Sequence, residues 1–569
     1  MSLSTQSDPM CSICLNPMLN GEALFTSVCN HQFHFDCITK SVQSNNNECP
    51  LCRLTMDSLI NVVKQPSPSQ ILQVPALPPP PVIVEVEIPA EDVVNEAQIR
   101  TVSEIQASRL SSSPKPIETK TALEVGGVVS DEEKDIYGLL TLFAPTSSDN
   151  ENIDSRVPLD LVCIVDHSGS MRGYKIQLVK QTLSYIVTQL GSTDRFAIVS
   201  FNDSSYPISG LTMMNEHGKQ AIENRIQTHE KLNANGSTSI GRGLKMGIDI
   251  LNKRNTKNSL SSILLLTDGQ DVELTSYSDI MQNIPESTTC HTYGFGSDHK
   301  VSVLSQIAEI GSGTFTYIDE LKSVGDSFSH TLGSLFSCIA QNIEVKIELK
   351  DDYTIANVHS TFAHSTVPNS TVTIKIHDLN EDEKRNLVFE IHVPAVDGKD
   401  EQECCQISTA SVKYIDPSSQ QMFSSESTAI TLVRSKAITD LKLLEVNYDL
   451  DVQRNRVDAA KGMKVAVVFA QQRDMNQAKA VLQAIIKKIT ASISSQDNLC
   501  KSLVEDLNKS IEKFEHDEQQ FTCYMTNMSM QHHSERGTYT TPHFTSSDGY
   551  TTQSNRVQRS NFVYFSDQP

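Results

Sequence analysis

Residues 159–171 read LDLVCIVDHSGSM. The run from Leu159 to Val165 is apolar at nearly every position and stops at an aspartate, which reads as a buried strand ending in a polar loop. Working outward, RFAIVSF (195–201), SSILLLTD (261–268), CHTYGFG (290–296) and GTFTYI (313–318) have the same character. Between the first two runs Ile176, Val179, Leu183, Ile186, Val187 and Leu190 recur at helical spacing, with Gly191 placed as a helix stop. Strand and helix alternating over about 200 residues imply an α/β doubly wound sheet with parallel strands. In that architecture ligands sit at the carboxyl ends of the strands.

The first strand end presents Asp166-x-Ser168-x-Ser170, a later one presents Asp268 in LLLTDG, and a loop between them presents Thr238 in NGSTSIGRG, just before an apparent helix. Carboxylates and hydroxyls are hard oxygen donors that suit Mg2+ and not zinc. No activated nucleophile and base accompany Asp166, so a hydrolase is excluded. Asp-x-Ser-x-Ser, then Thr, then Asp resembles the metal-ion-dependent adhesion site (MIDAS) of von Willebrand factor type A domains, over roughly residues 155–335. The resemblance implies that Asp166, Ser168, Ser170, Thr238 and Asp268 hold Mg2+, or Mn2+ in its place, and capture a carboxylate of a binding partner. His167 falls at a variable position of that motif and is not expected to be a ligand.

Toward the N-terminus, six of the thirteen cysteines crowd into the first 52 residues: Cys11-x2-Cys14, Cys29-x-His31-x2-His34-x2-Cys37, Cys49-x2-Cys52. Eight ligands suffice for two tetrahedral zinc sites, and a segment of about 45 residues needs metal to fold because its own core is too small. Four protein ligands per ion leave no open position, so these zincs are structural. The order Cys-Cys-Cys-His-His-Cys-Cys-Cys, ending in CPLCR, resembles a RING-H2 finger. That resemblance implies a zinc cross-brace: one site from Cys11, Cys14, His34 and Cys37, the other from Cys29, His31, Cys49 and Cys52. It also implies the activity of the family, which holds a ubiquitin-charged conjugating enzyme (E2) without a covalent intermediate of its own. Ile13 and Pro50 match the apolar docking patch of that family, and Arg53 its linchpin cation, for which a guanidinium fork is suited. Ser41 stands where many RING-H2 fingers have a tryptophan.

The remainder divides by composition. Residues 59–132 are rich in proline (PALPPPPVIVEVEIPAED, SSSPKP) and read as a disordered linker between the finger (1–58) and the type A domain (133–338). Residues 339–435 alternate, as in IEVKIEL and NLVFEIHV, which predicts a β-sandwich-like segment in which Cys404 and Cys405 carry no site. In 436–518 Ala478, Val481, Leu482, Ile485 and Ile489 fall on one helix face, predicting a helical hairpin packed on the sandwich; the same stripe could serve a homo-oligomer. Residues 519–569, poor in large aliphatics, read as a disordered tail with His532 and His533 solvated.

At 569 residues, a net charge of −22 excludes a broad nucleic-acid footprint, and no apolar run approaches membrane-spanning length. The start MSLSTQSDPM lacks a secretory pattern, giving a cytoplasmic address with the nucleus as alternative. In order and kind the modules resemble the plant "wavy growth" group of RING ubiquitin ligases, more than copines with an appended RING, which place the finger last. The resemblance implies a RING-type E3 ubiquitin transferase whose partners are an E2, ubiquitin and a protein substrate. The reading that competes with it is a zinc- and Mg-dependent interaction scaffold without catalytic function.

Overall fold

The computed structural model describes residues 24–26, 32–34, 38, 116–145, 156–269, 271, 276–296, 299–319, 323–396, 403–513, 517–538 and 548–566. The chain divides into two compact units, Met1–Glu85 and Val86–Pro569. In the first, β1 (Leu24–Thr26) and β2 (Gln32–His34) form an antiparallel pair with Phe25 opposite Phe33. Phe33 and Ile38 are fully buried.

The second unit begins with β3 (Glu118–Leu123), β4 (Gly127–Val129) and β5 (Lys134–Phe143). Next comes the α/β part: β6 (Leu159–Asp166), α1 (Tyr174–Gln189), β7 (Arg195–Phe201), β8 (Ser205–Met213), α2 (Glu216–Thr228), α3 (Ile240–Asn252), β9 (Leu260–Thr267), α4 (Tyr277–Met281), β10 (Thr288–Phe295), α5 (Val301–Ile310), β11 (Ser312–Ile318) and α6 (Val324–Phe336). The sheet order is β11-β10-β9-β6-β7-β8, parallel throughout except for β8. This antiparallel edge strand is a correction to an all-parallel expectation: YPISGLT carries Pro207 and Gly210 and lacks a continuous apolar run. Successive strand residues face opposite sides. Val162, Ile164, Val199 and Ile263 pack with α3 and α5, whereas Leu161, Cys163, Ile198 and Leu264 pack with α1, α2 and α6. Burial on both faces explains why these strands are unbroken apolar runs.

The β-rich segment supplies β12 (Cys338–Leu349), β13 (Thr354–Val358), β14 (Ala363–His364), β15 (Thr371–Asn380), β16 (Lys384–Val393), β17 (Glu403–Ile415), β18 (Met422–Ser424) and β19 (Thr428–Ser435). One sheet runs β14-β15-β12-β17-β19-β4 with β18 on β17, and the other runs β13-β16-β5-β3. Their inner faces share one core, with Ile343, Val345 and Ile347 against Ile136, Leu140 and Phe389. Strands β3 to β5 thus belong to the sandwich, and the α/β domain is inserted between β5 and β12. This corrects the linker's end at 132 and the type A start at 133. The physical reason is that β5 pairs with β16 along its whole length, a partner far away in sequence.

The C-terminal region consists of α7 (Tyr448–Gln471), α8 (Met475–Thr490), α9 (Asn498–Lys513), α10 (Glu518–Ser534) and α11 (Gln553–Ser566). Helices α7 and α8 form the expected hairpin, approaching closely where Gly462 faces Ile485, but the expected packing on the sandwich is corrected: most of the hairpin packs on the α/β domain. Leu450 and Val457 at the start of α7 cover Leu139 and Val388 on the outer face of the sandwich, while its later turns, α8, α9 and α10 share the core of the α/β domain. The disordered tail expected at 519–569 is corrected. In α10 Phe521, Cys523, Tyr524 and Met525 are buried, and His532, expected to be solvated, is fully buried with Nδ1 3.0 Å from Tyr550 Oη. Sulfur and polar side chains, hydrogen-bonded inside, replace the aliphatics whose scarcity suggested disorder.

Helix α11 docks on α6 through close backbone approach. Asn555 Nδ2 donates to the His330 carbonyl (2.6 Å), and a Cβ on Gly333 would lie 2.6 Å from Asn555 Cα. Gly333→Ala therefore overpacks the contact by about 1–3 kcal/mol. The expected outcome is release of α11, read as rapid tryptic cleavage at Arg556 and Arg559 in an otherwise resistant unit; wild-type protection there would contradict the docking.

Candidate metal centre

The sheet reverses its winding between β6 and β9, so a crevice opens at their carboxyl ends. Asp166 is the last residue of β6 and Asp268 directly follows β9. Ser168 and Ser170 lie on the turn leading to α1, and Thr238 lies two residues before α3. The structure brings all five together, with Asp166, Ser168, Thr238 and Asp268 buried and Ser170 exposed.

Hydrogen bonds link four of the five residues. Asp166 Oδ1 accepts the Ser168 amide (2.7 Å) and Oδ2 accepts Thr267 Oγ1 (2.5 Å). Ser168 Oγ is 3.0 Å from Ser170 Oγ, which in turn donates to Asp268 Oδ1 (2.7 Å). Lys175, in the first turn of α1, pairs with Asp268 Oδ2. Two glycines make room: the Gly169 amide donates to the Gly236 carbonyl (3.0 Å), clamping the loops, and a Cβ on Gly269 would lie 2.6 Å from Thr238 Oγ1. Asn202 ties the Thr238 loop to β7, its Nδ2 donating to Asn235 Oδ1 (2.8 Å) and its carbonyl accepting from Ser239 N (2.7 Å).

Burial pushes the Asp166 carboxyl up to about 6, the hydrogen bonds from Thr267 and Ser168 oppose this, and the Asp268 charge adds to it. A buried carboxylate held by neutral donors beside a second carboxylate gains from a divalent cation, so the residues fit a hard metal ion. Among the described residues no group of three or more His, Cys, Asp and Glu is placed to hold a metal ion, so the candidate centre depends on its hydroxyls. His167 points elsewhere: its ring lies 5.8 Å from that of Tyr206, and burial together with Lys231 lowers its pKa to about 4. Thr267, Lys175 and Asn202 fall outside the sequence motif; Lys175 alone carries a signal, a cation in the first turn of the helix that leaves it. With Asp166→Ala and Ser168→Ala combined, Mn2+ uptake measured by titration calorimetry should vanish while the thermal transition persists; retained uptake would refute this ligand set.

Of the eight zinc ligands expected, His34 ends β2; its side chain and Cys11, Cys14, Cys29, His31, Cys37, Cys49 and Cys52 lie outside the described residues, as do Ile13, Pro50 and Arg53.

Comparison with protein families matches a ring finger domain at residues 9–53, a von Willebrand factor type A domain at 160–330 and the N-terminal region of a CPSF6-like RSLD domain at 446–542. The chain is thus a multidomain protein in which a RING finger precedes a type A domain, and the RSLD match covers most of the helical region. The E3 ubiquitin-protein ligase WAVH1 of Arabidopsis thaliana is 24% identical over 74% of this chain and 62% of its own length. The ligase WAV3 of the same plant is 23% identical over 72% of this chain and 62% of its own. The chain therefore spans about three fifths of the length of these relatives. Among solved structures, a von Willebrand factor type A protein from Catenulispora acidiphila superposes with a TM-score of 0.55 at 16% identity, covering 70% of this chain and 91% of that one. The ArnB paralog VWA2 from Sulfolobus acidocaldarius gives 0.50 at 14%, covering 74% and 99%. Both extend well beyond the type A domain, so the fold they share includes more than the α/β part.

Proposed function

We propose that the chain is a RING-type ubiquitin ligase that recruits a ubiquitin-charged E2 through its finger and selects protein substrates through the type A domain and the C-terminal regions. The observation that carries this reading is the ring finger match at 9–53 joined to a type A domain, the combination resembling relatives that are named E3 ubiquitin-protein ligases. Two zinc ions, held by Cys11, Cys14, His34 and Cys37 and by Cys29, His31, Cys49 and Cys52, would fold the finger. Ile13, Pro50 and Arg53 would then face the E2 and ubiquitin. Catalysis would be positional, with thioester and acceptor amine held in reacting geometry and no covalent intermediate on this chain. Bound Mg2+ at the type A centre would supply an open coordination position for an acidic side chain of a substrate. The described cysteines of the second unit form no disulfide, in keeping with a reducing cytoplasmic or nuclear address.

A discharge assay tests this reading. Mixed with a panel of ubiquitin-charged E2 enzymes and free lysine, the zinc-loaded chain should accelerate thioester loss with at least one of them, and Ile13→Ala and Arg53→Ala should each reduce the effect. No acceleration across a broad panel would leave the scaffold reading standing.

A further inference from the structure

Away from both metal sites, three elements converge on one lysine. Lys461 is exposed on α7, and its Nζ lies 2.5 Å from Nδ1 of His359, the residue that follows β13. Nε2 of His359 lies 2.7 Å from Glu390 Oε1 on β16. The imidazole is nearly enclosed, with a side-chain exposure of 8%, and its ring stacks on Tyr137 of β5 at 5.5 Å between centroids. Its backbone is also held, the His359 amide donating to the Val388 carbonyl (2.8 Å). Glu390 sits directly opposite Tyr137 in the β16–β5 register, so two neighbouring strands support the imidazole.

One tautomer of His359 satisfies both contacts. For Nε2 to donate to the Glu390 carboxylate and Nδ1 to accept from Lys461, the imidazole must be neutral with its proton on Nε2. A nucleophile, a base that contacts it and a carboxylate that orients the base form the arrangement of activated nucleophiles in general. Other charges face the amine as well. Asp458, one turn earlier on α7, is bound by Lys488 of α8 at 2.6 Å, and the Lys461 charge also reaches His533 of α10. Although Lys461 is exposed along its stem, partial shielding of its amine beside His359 draws the ammonium below its ordinary value; Asp458 and Glu390 oppose this and Lys488 assists it. Burial and Lys461 likewise draw His359 down, against Glu390 and Asp458, in line with a neutral imidazole.

We propose that Lys461 is an acceptor amine built to take an acyl group from a thioester, with His359 receiving its proton and Glu390 orienting the imidazole. In the step, the Nζ lone pair forms a bond to the thioester carbonyl carbon, the carbon–sulfur bond breaks, and the thiolate leaves. The proton shed by the attacking nitrogen passes to His359 Nδ1, and the imidazolium so formed is stabilised by Glu390 until the proton is lost to the departing thiolate or to water. A stable isopeptide or amide remains on Lys461. The donor in the chain's own setting is the ubiquitin thioester carried by an E2, and this part rests on the ligase reading above. Lys461 would then be the preferred site of self-modification, on the helix that joins the sandwich to the α/β core.

The test uses the full chain and two donors. With acetyl-N-acetylcysteamine at pH 7.5, peptide mass spectrometry should find Lys461 acetylated about tenfold faster than the exposed Lys375 and Lys487, a modest advantage for positioned general-base assistance. The advantage should disappear in His359→Gln, shrink in Glu390→Gln, and narrow as pH rises toward the ordinary lysine pKa of about 10.4, where every amine becomes neutral. Should His359→Gln fail to fold by near-ultraviolet circular dichroism, Glu390→Gln and the pH profile carry the decision. Equal rates at Lys461 and the two reference lysines, or an advantage indifferent to both substitutions, would overturn the proposal. With a charged E2 as donor, ubiquitin is expected on Lys461 and displaced from it in Lys461→Arg; ubiquitin on other lysines with Lys461 bare would overturn its role as acceptor. If no lysine takes ubiquitin, the ligase reading fails, and the acetyl thioester still decides the chemistry of the amine.

Discussion

Cys11→Ser should abolish E2 discharge by the chain and reduce its zinc content from two ions to one or none, while leaving the unfolding transition of the Val86–Pro569 unit where it is. A serine hydroxyl is a poor zinc ligand beside thiolates, and four ligands are needed to close a structural site. The finger has little else to hold it: among its described residues the apolar side chains known to be buried are Phe33 and Ile38, on and just after a two-stranded hairpin. A hairpin of that size is marginal in water, so the metal provides the folding free energy. The substitution should not reach the second unit, because it is compact by itself and draws its core from strands and helices beyond Glu85. Zinc content by atomic absorption, together with a discharge time course, checks the expectation. An active finger that retains two zinc ions would remove Cys11 from the ligand set.

The second large effect concerns Asp160, next to the start of β6 and fully buried. Arg195, its neighbour across the sheet, contributes Nε and a terminal nitrogen to its two oxygens at 2.7 Å each, and Arg254 adds a third bond at 2.6 Å. Both guanidiniums are themselves more than nine-tenths buried. Asp160→Asn would leave two buried cations facing a neutral amide, and breaking a buried ion pair from one side costs about 3–5 kcal/mol. The urea midpoint of the second unit should fall sharply, followed by tyrosine fluorescence since the chain has no tryptophan. Asp160 lies at the opposite end of β6 from Asp166, so Mn2+ uptake should persist at low urea. An unchanged midpoint would show that the network contributes nothing net to stability.

These two residues mark how far the sequence could be read. Asp166 was legible because its meaning is local: an apolar run stops, and hydroxyls follow at fixed spacing. Asp160 stands in the same run and looked like an interruption in it, since the arginines that neutralise it come from β7 and from the chain after α3. At the metal centre the five oxygen donors were legible, whereas Lys175, Thr267 and Asn202 became visible only once α1, β9 and the Thr238 loop were brought to one crevice. The relay of Lys461, His359 and Glu390 had no sequence signal, as its members come from a helix and two separated parts of a sandwich.

Short periods along the chain specify the buried strands β6, β7, β9, β10 and β11, the amphipathic helices α1 and α8, the alternation of β12, and the spacing of the cysteine and histidine pairs. Which elements pair with which depends on contacts between distant segments. Strand β5, apolar on both faces, joined the sandwich because β16 lies on its edge and α7 on its outer face, with Thr141 bonded to Asn386, 245 positions away. Helices α10 and α11, poor in aliphatics, were ordered by buried sulfur, aromatic and hydrogen-bonded polar groups, with α11 set against Gly325 and Gly333 of α6. A periodic pattern records only that a residue is shielded from water, and the free energy of that shielding is nearly indifferent to which distant segment supplies it.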